Sequence, residues 1–142
     1  MDRGIKKCFE RDRFARYVGV ELVEVSEGKA VARMKIQEHH LNGVGIVHGA
    51  AIFSLADLAF AGAANSHGTV AVAINVNISF LKAVSQGMLV ARAEEISRNP
   101  KLGIYSIRVT NEEDELIATF EGMVYRKKDS LLLASEDSGK AS

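Results

Sequence analysis

The chain has 142 residues, 47% of them hydrophobic and 25% charged, and its 18 Lys plus Arg balance 18 Asp plus Glu to a formal net charge of zero. That length fits one domain with a real core. The balance lacks the basic excess of a nucleic-acid binder, and 12 Gly with 1 Pro in an apolar-rich chain exclude collagen-like and disordered classes. A charge near zero also favours self-association.

The single cysteine, Cys8, rules out an intramolecular disulfide and fits a reducing compartment. Between Lys7 and Phe9 it reads as a packing residue. The N-terminus is charged throughout and lacks the apolar run of a signal peptide. The apolar stretch from Ala50 to Ala64 is interrupted by Ser54 and Asp57, too short and too polar for a membrane span. A cytoplasmic protein that binds neither nucleic acid nor membrane is expected.

In chain order, residues 4–18 predict a short helix with Ile5, Phe9, Phe14, Tyr17 and Val18 as its apolar surface. Residues 19–26 and 28–37 read as two strands around Glu27-Gly28. The second alternates Ala30, Ala32, Met34 and Ile36 against Val31, Arg33 and Lys35, the pattern of a half-buried strand. Residues 38–49 form a loop with three of the four histidines. Residues 50–66 are Ala/Leu-rich, lack Pro and are apolar on nearly every face, which predicts a helix buried all round. Residues 69–82 alternate Val70, Val72, Ile74, Val76, Ile78 and Phe80 with smaller or polar residues, and further strands follow at about 87–98, 101–111 and 115–127. The turn Asn111 to Asp114 joins the last two as a hairpin. Residues 1–130 make a single domain, and 131–142 a polar tail, expected to be disordered over 134–142. One apolar helix among five to six antiparallel strands predicts an α+β fold in which the sheet wraps the helix. One sheet covers one side of that helix, and a second subunit is the economical cover for the other.

Asp57 does not fit a buried helix. An unpaired carboxylate there costs several kcal/mol, so it is paired, neutralised or functional. It reads either as a cap or ion-pair partner, or as a general base or nucleophile in a partly dry site. His48-Gly49-Ala50 opens the same helix, where free N–H groups and positive dipole potential gather. Gly49 reads either as a residue that only turns the loop or as an oxyanion donor that lets a carbonyl approach the backbone. Gly49 and Asp57 are eight residues apart, about 12 Å along one helix. No single carbonyl touches both, so a shared reaction draws them from two subunits around a two-fold.

The segment HHLNGVGIVHGAAIFSLADLAFAGAANSHG, followed by AVAINVNISFLK, resembles the hotdog-fold acyl-CoA thioesterases, and most of all their phenylacetyl-CoA thioesterase branch of phenylacetate degradation. The resemblance covers residues 18–127 and rests on the spacing Asn42, His48-Gly49, Asp57. It implies hydrolysis of an aryl- or medium-chain acyl-CoA to free acid and coenzyme A, with no cofactor and no metal. It assigns Asp57 as the acidic residue that activates water or attacks the thioester carbon, the Gly49 N–H as the carbonyl donor, Asn42 as a group that positions the water or the facing carboxylate, and His48 as loop support or a contact to the thioester. Phe53, Phe60 and Phe80 would wall the acyl group, and Lys82 and Lys101 would meet the coenzyme A phosphates. His39, His40 and His67 match no role and read as loop or surface residues. The sequence departs from the family at Ala50 and Ala83, where a glycine and a proline are usual. The implied assembly is a homo-oligomer, a dimer for the site and a tetramer as a dimer of dimers. Two other readings of the fold are a non-catalytic acyl-CoA-binding regulator, which would not need Asp57, and a hotdog hydratase or dehydratase.

Overall fold

A computed structural model of the protein describes residues 3–131. Helix α1 spans Arg3–Glu10 and α2 spans Arg13–Val18; strands β1 (Val20–Ser26) and β2 (Lys29–Lys35) follow. A 3-10 turn at Glu38–His40 leads to α3 (Gly49–Ala64), then to β3 (Thr69–Phe80), β4 (Met88–Arg98), β5 (Leu102–Thr110) and β6 (Leu116–Ser130). The six strands form one antiparallel sheet in the order β1-β2-β4-β5-β6-β3. The sheet wraps α3, as expected. Its inner face supplies Ala32, Met34, Leu89, Ala91, Tyr105, Ile107 and Val109, all at most 1% exposed, against Leu55, Ala56 and Ala59 of the helix at 0%. Burying such aliphatic side chains contributes about 1.5–3 kcal/mol each before entropy is counted.

Four expectations are corrected. The helix over 4–18 is two helices. Asp12 accepts a hydrogen bond from the Ala15 N–H at 2.9 Å, which starts α2 afresh after a turn at Arg11. Helix α3 is not buried all round, because the sheet leaves one stripe of it open. On β3, a bulge between Ala73 and Asn75 shifts the alternation. Val76, Ile78 and Phe80 lie opposite Gly122, Phe120 and Ala118, while Val72 lies opposite the exposed Tyr125. Cys8 is exposed rather than packed.

The far end of α3 is tied down by polar contacts. The Ser66 hydroxyl accepts from the Gly28 N–H at 2.8 Å and donates to the Ala63 carbonyl at 2.6 Å. His67, which reads from sequence as a loop or surface residue, lies in the turn after α3, but its side chain is only 7% exposed, and its Nε2 lies 2.8 Å from the Glu95 carboxylate. The Tyr105 hydroxyl donates to the same oxygen at 2.8 Å. Burial alone would raise the Glu95 carboxyl, but the Tyr105 and His67 hydrogen bonds hold it below its ordinary range. Leu131 is 3% exposed and donates to the Gly68 carbonyl, closing the domain just past β6; the rest of the expected polar tail lies outside the described residues.

Candidate active site

The open stripe of α3 consists of Ala50, Phe53, Ser54, Asp57 and Ala61, spaced by three and four residues and exposed or half-buried. Asp57 is half-buried at its centre. It lines a cleft of about 190 Å³ shared with Asp12, Phe14 and Ala15 of the N-terminal segment, Val20 of β1 and Phe53, Ser54, Leu58 and Ala61 of α3. No cation lines that cleft. Burial pushes the Asp57 carboxyl above its ordinary range, and the Asp12 charge raises it further. Neither a hydrogen bond nor an ion pair offsets that rise. The structural reading of Asp57 as a capping or paired carboxylate therefore has no partner among the described residues.

The mouth of α3 is built by its preceding loop. The Asn42 side-chain oxygen accepts from the N–H groups of Val44 (3.0 Å) and Ile46 (3.3 Å), and its backbone N–H donates to the Ile46 carbonyl. This closes the glycine-containing loop into a tight unit and leaves the Asn42 side-chain N–H groups without an acceptor among the described residues. His48 is the N-cap of α3: its Nδ1 accepts from the Ala50 N–H at 3.0 Å. The ring proton therefore sits on Nε2, which faces outward on an exposed residue. The Ala51 and Ile52 N–H groups bond the His48 carbonyl. The Gly49 N–H is left as the helix-terminal donor with no protein acceptor among the described residues. A Cβ on Gly49 would stand 3.1 Å from the Phe80 ring, so glycine keeps this backbone open on that side.

Not every expected site residue falls here. Phe53 lines the Asp57 cleft and stacks on Phe120 with ring centroids 5.4 Å apart. Phe80 covers the Gly49 side of the mouth. Phe60 is corrected: it is 1% exposed, packs on Tyr105 and Phe120, and its ring lies so close over Gly122 that a Cβ there would come within 2.5 Å. It is core, not an acyl wall. Lys82 follows β3 beside the mouth and is ion-paired with Glu115. Lys101 lies in the β4–β5 turn, next to Leu102, which pairs with Tyr125 opposite Val72. Val72 and Phe80 are separated by eight strand residues, about 26 Å. Within one chain, the two lysines do not meet the same phosphate group.

The sequence reading missed His40. It is 3% exposed. Its Nδ1 accepts from the Gln37 N–H at 2.9 Å, so Nε2 carries the proton and donates to the Val18 carbonyl at 2.6 Å. Its own carbonyl accepts from the His48 N–H at 2.7 Å. One residue thus ties the end of α2 to the residue before Gly49. The sequence held only a weak signal, a histidine pair at the start of the loop that leads to α3. His40→Ala is expected to lower stability by about 1–3 kcal/mol, because a buried ring and its two hydrogen bonds are lost; urea unfolding monitored by circular dichroism measures this.

The thioesterase superfamily model matches residues 44–118, from the second half of the loop through α3 and the strands β3 to β5 into β6. The chain belongs to the thioesterase superfamily. An Archaeoglobus fulgidus protein named as an esterase is 42% identical over 119 residues, covering 83% of this chain and 77% of its own. The acyl-coenzyme A thioesterase PaaI of Escherichia coli is 37% identical over 119 residues, covering 83% and 85%. The solved E. coli PaaI structure overlays with a TM-score of 0.86 at 33% identity, over 90% of this chain and 94% of that one. A Streptococcus pneumoniae thioesterase protein solved with coenzyme A is 22% identical, with a TM-score of 0.80 over 87% and 98%, a likeness of fold. The hotdog fold, the superfamily and the likeness to the PaaI branch expected from sequence are borne out, and membership makes this chain an enzyme of the thioesterase class.

Proposed function

We propose that the protein hydrolyses an acyl-CoA thioester to a free acid and coenzyme A, at two composite sites per dimer. The observation that carries this is the pairing of an unneutralised carboxylate, Asp57, with a free helix-terminal N–H, Gly49, on one helix and about 12 Å apart. A burial-raised carboxyl is a better base than a solvated one. The Gly49 N–H, aided by the outward His48 Nε2–H, stabilises negative charge on the thioester oxygen as the carbon becomes tetrahedral. Asp57 takes the proton of the attacking water, the C–S bond breaks, and the departing thiolate is protonated to free coenzyme A. In the alternative course Asp57 attacks the carbon and water hydrolyses the resulting anhydride. Oxygen-18 water probes this in a single turnover: label found in Asp57 marks the second course, with water opening the anhydride at the Asp57 carbon, since the first course never places solvent oxygen there.

Three features support the dimer. β3 is an edge strand of 12 residues with no neighbour on its outer side among the described residues. It carries Val72, Ile74 and Phe80 exposed at 41%, 54% and 53%, the kind of edge that pairs with another copy. The open stripe of α3 is exposed or half-buried as well. Two copies joined edge to edge around a two-fold set their α3 helices antiparallel, bringing one Asp57 toward the other Gly49. Two such dimers then make the tetramer.

For the substrate, the proposal is an aryl- or medium-chain acyl group, as the sequence resemblance implies; the E. coli PaaI that this chain resembles comes from the phenylacetic acid degradation operon. Phe53 and Phe80 supply its apolar walls. The unpaired Asn42 side-chain N–H groups hold the attacking water or the facing carboxylate. Lys101, with no ion pair among the described residues, and Lys82, once released from Glu115, meet the coenzyme A phosphates from different subunits. A thiol-release assay across phenylacetyl-, hydroxyphenylacetyl-, benzoyl- and straight-chain acyl-CoAs is expected to show turnover, highest with aryl or medium-chain acyl groups. Binding of acyl-CoA without release of thiol would contradict the proposal and favour a regulatory binder.

A further inference from the structure

Asp12 and Asp57 are the only ionisable residues lining their cleft; the other seven positions are Phe14, Ala15, Val20, Phe53, Ser54, Leu58 and Ala61. Asp12 is not a stray surface charge there. Its carboxylate is fixed by the hydrogen bond from the Ala15 N–H at 2.9 Å, and Ala15 is itself 7% exposed and part of the cleft wall. The N-cap that restarts the chain at α2 therefore aims a second carboxylate into the space Asp57 occupies. Two carboxylates in one apolar cleft resist being ionised together.

We propose that Asp12 is a positioning residue for the reaction, a fixed like charge on the cleft wall that sets how strongly Asp57 holds a proton. The proposal rests on the reading of Asp57 as the catalytic carboxylate. The adjoining cleft, which shares Asp12 and Leu58, brings Lys6 and Glu10 from α1, Arg16 from α2 and Glu21 from β1, two cations against two further anions. None of those four lines the cleft that holds Asp57, and among the described residues Asp12 is the one charge that acts on its carboxyl beside burial. The rise of the Asp57 carboxyl agrees in sign, burial acting first and the Asp12 charge second. The N-terminal segment thus does more than cover the helix: it holds the base in a more basic state than burial alone would.

The test is the pH profile of kcat/KM for thiol release in Asp12→Asn, with Asp57→Asn alongside. Asn caps a helix about as well as Asp, so the variant keeps α2 and melts no lower than the wild type at pH 7, with relief of the like charge adding to stability. The acid limb is expected to move to lower pH, and the plateau above it to fall by a factor of about 2–5, a weaker base being a poorer catalyst. KM is expected to hold. Asp12→Ser, a second uncharged cap, is expected to move the limb in the same direction and serves if the Asn variant folds poorly. An acid limb unmoved in whichever uncharged variant melts no lower than the wild type overturns the proposal. If Asp57→Asn keeps wild-type turnover, the assignment of Asp57 fails, and this inference with it. If Asp57→Asn is inactive while the Asp12 limb stays put, only the inference fails.

Discussion

Asp57→Asn should lose about a hundred- to ten-thousand-fold in kcat/KM while melting at a higher temperature than the wild type at pH 7. Both effects come from one property. The cleft disfavours the ionised carboxylate, which makes Asp57 a better base and makes the folded state carry a cost for holding it charged. The sign follows from the raised folded-state pKa. Below the carboxyl's ordinary value of 3.8 the group is protonated in both the folded and the unfolded chain, and no cost remains. As pH rises through the raised value, the unfolded chain has already released its proton and the folded one is forced to follow, so stability is lost. Asn removes that loss. The melting-temperature gain should therefore be largest near neutrality and vanish in acid. Thermal melts at several pH values alongside the thiol-release assay measure both. Turnover at wild-type rate in Asp57→Asn would remove Asp57 from the chemistry.

Gly49→Pro should lose about a hundred- to a thousand-fold in kcat while remaining folded, the effect of deleting one oxyanion donor. The position permits this unusual test. Gly49 is the first residue of α3, where proline is well tolerated because its N–H has no intrahelical partner. His48 already adopts φ −63° and ψ 137°, a conformation compatible with a following proline. The added side chain presses on Phe80, but that ring is 53% exposed and free to give. Gly49→Ala is the control: it brings the same Cβ contact but keeps the N–H. Alanine retaining most of the activity that proline abolishes would assign the loss to the donor itself. Equal losses in both would assign it to crowding by Phe80 instead.

Much of the fold was legible because its signals are local. The alternation of Ala30, Ala32, Met34 and Ile36 against charged neighbours gives β2, and the Ala/Leu run gives α3. Asp57 stood out because a carboxylate in such a run has no structural excuse. What stayed hidden depends on contacts far apart in sequence. Nothing local shows that β3 lies at the sheet edge beside β6, so the exposure of Ile74 and the bulge around it were not foreseen. His40 looks like a loop residue until the Val18 carbonyl, 22 residues back, closes on its ring. Phe53 and Phe60 share one helix and one chemistry. Only the position of Gly122 opposite Phe60 makes one core and leaves the other at the cleft. Asp12 could have been read as a cap, since the side chain of Asp favours that place ahead of a new helix; its approach to Asp57 could not.

The composite site is tested most directly by mixing two inactive chains. Asp57→Asn and Gly49→Pro, each tagged differently, are co-expressed in equal amounts or refolded together, and tandem affinity purification confirms exchange. If each site takes Asp57 from one subunit and Gly49 from the other, a mixed dimer holds one intact site and one doubly damaged site. Random pairing makes half the dimers mixed, so the mixture should recover about a quarter of the wild-type activity per chain. Mixed oligomers no more active than either parent would place Asp57 and Gly49 of a single chain at each site, or separate them altogether, and would contradict the composite site.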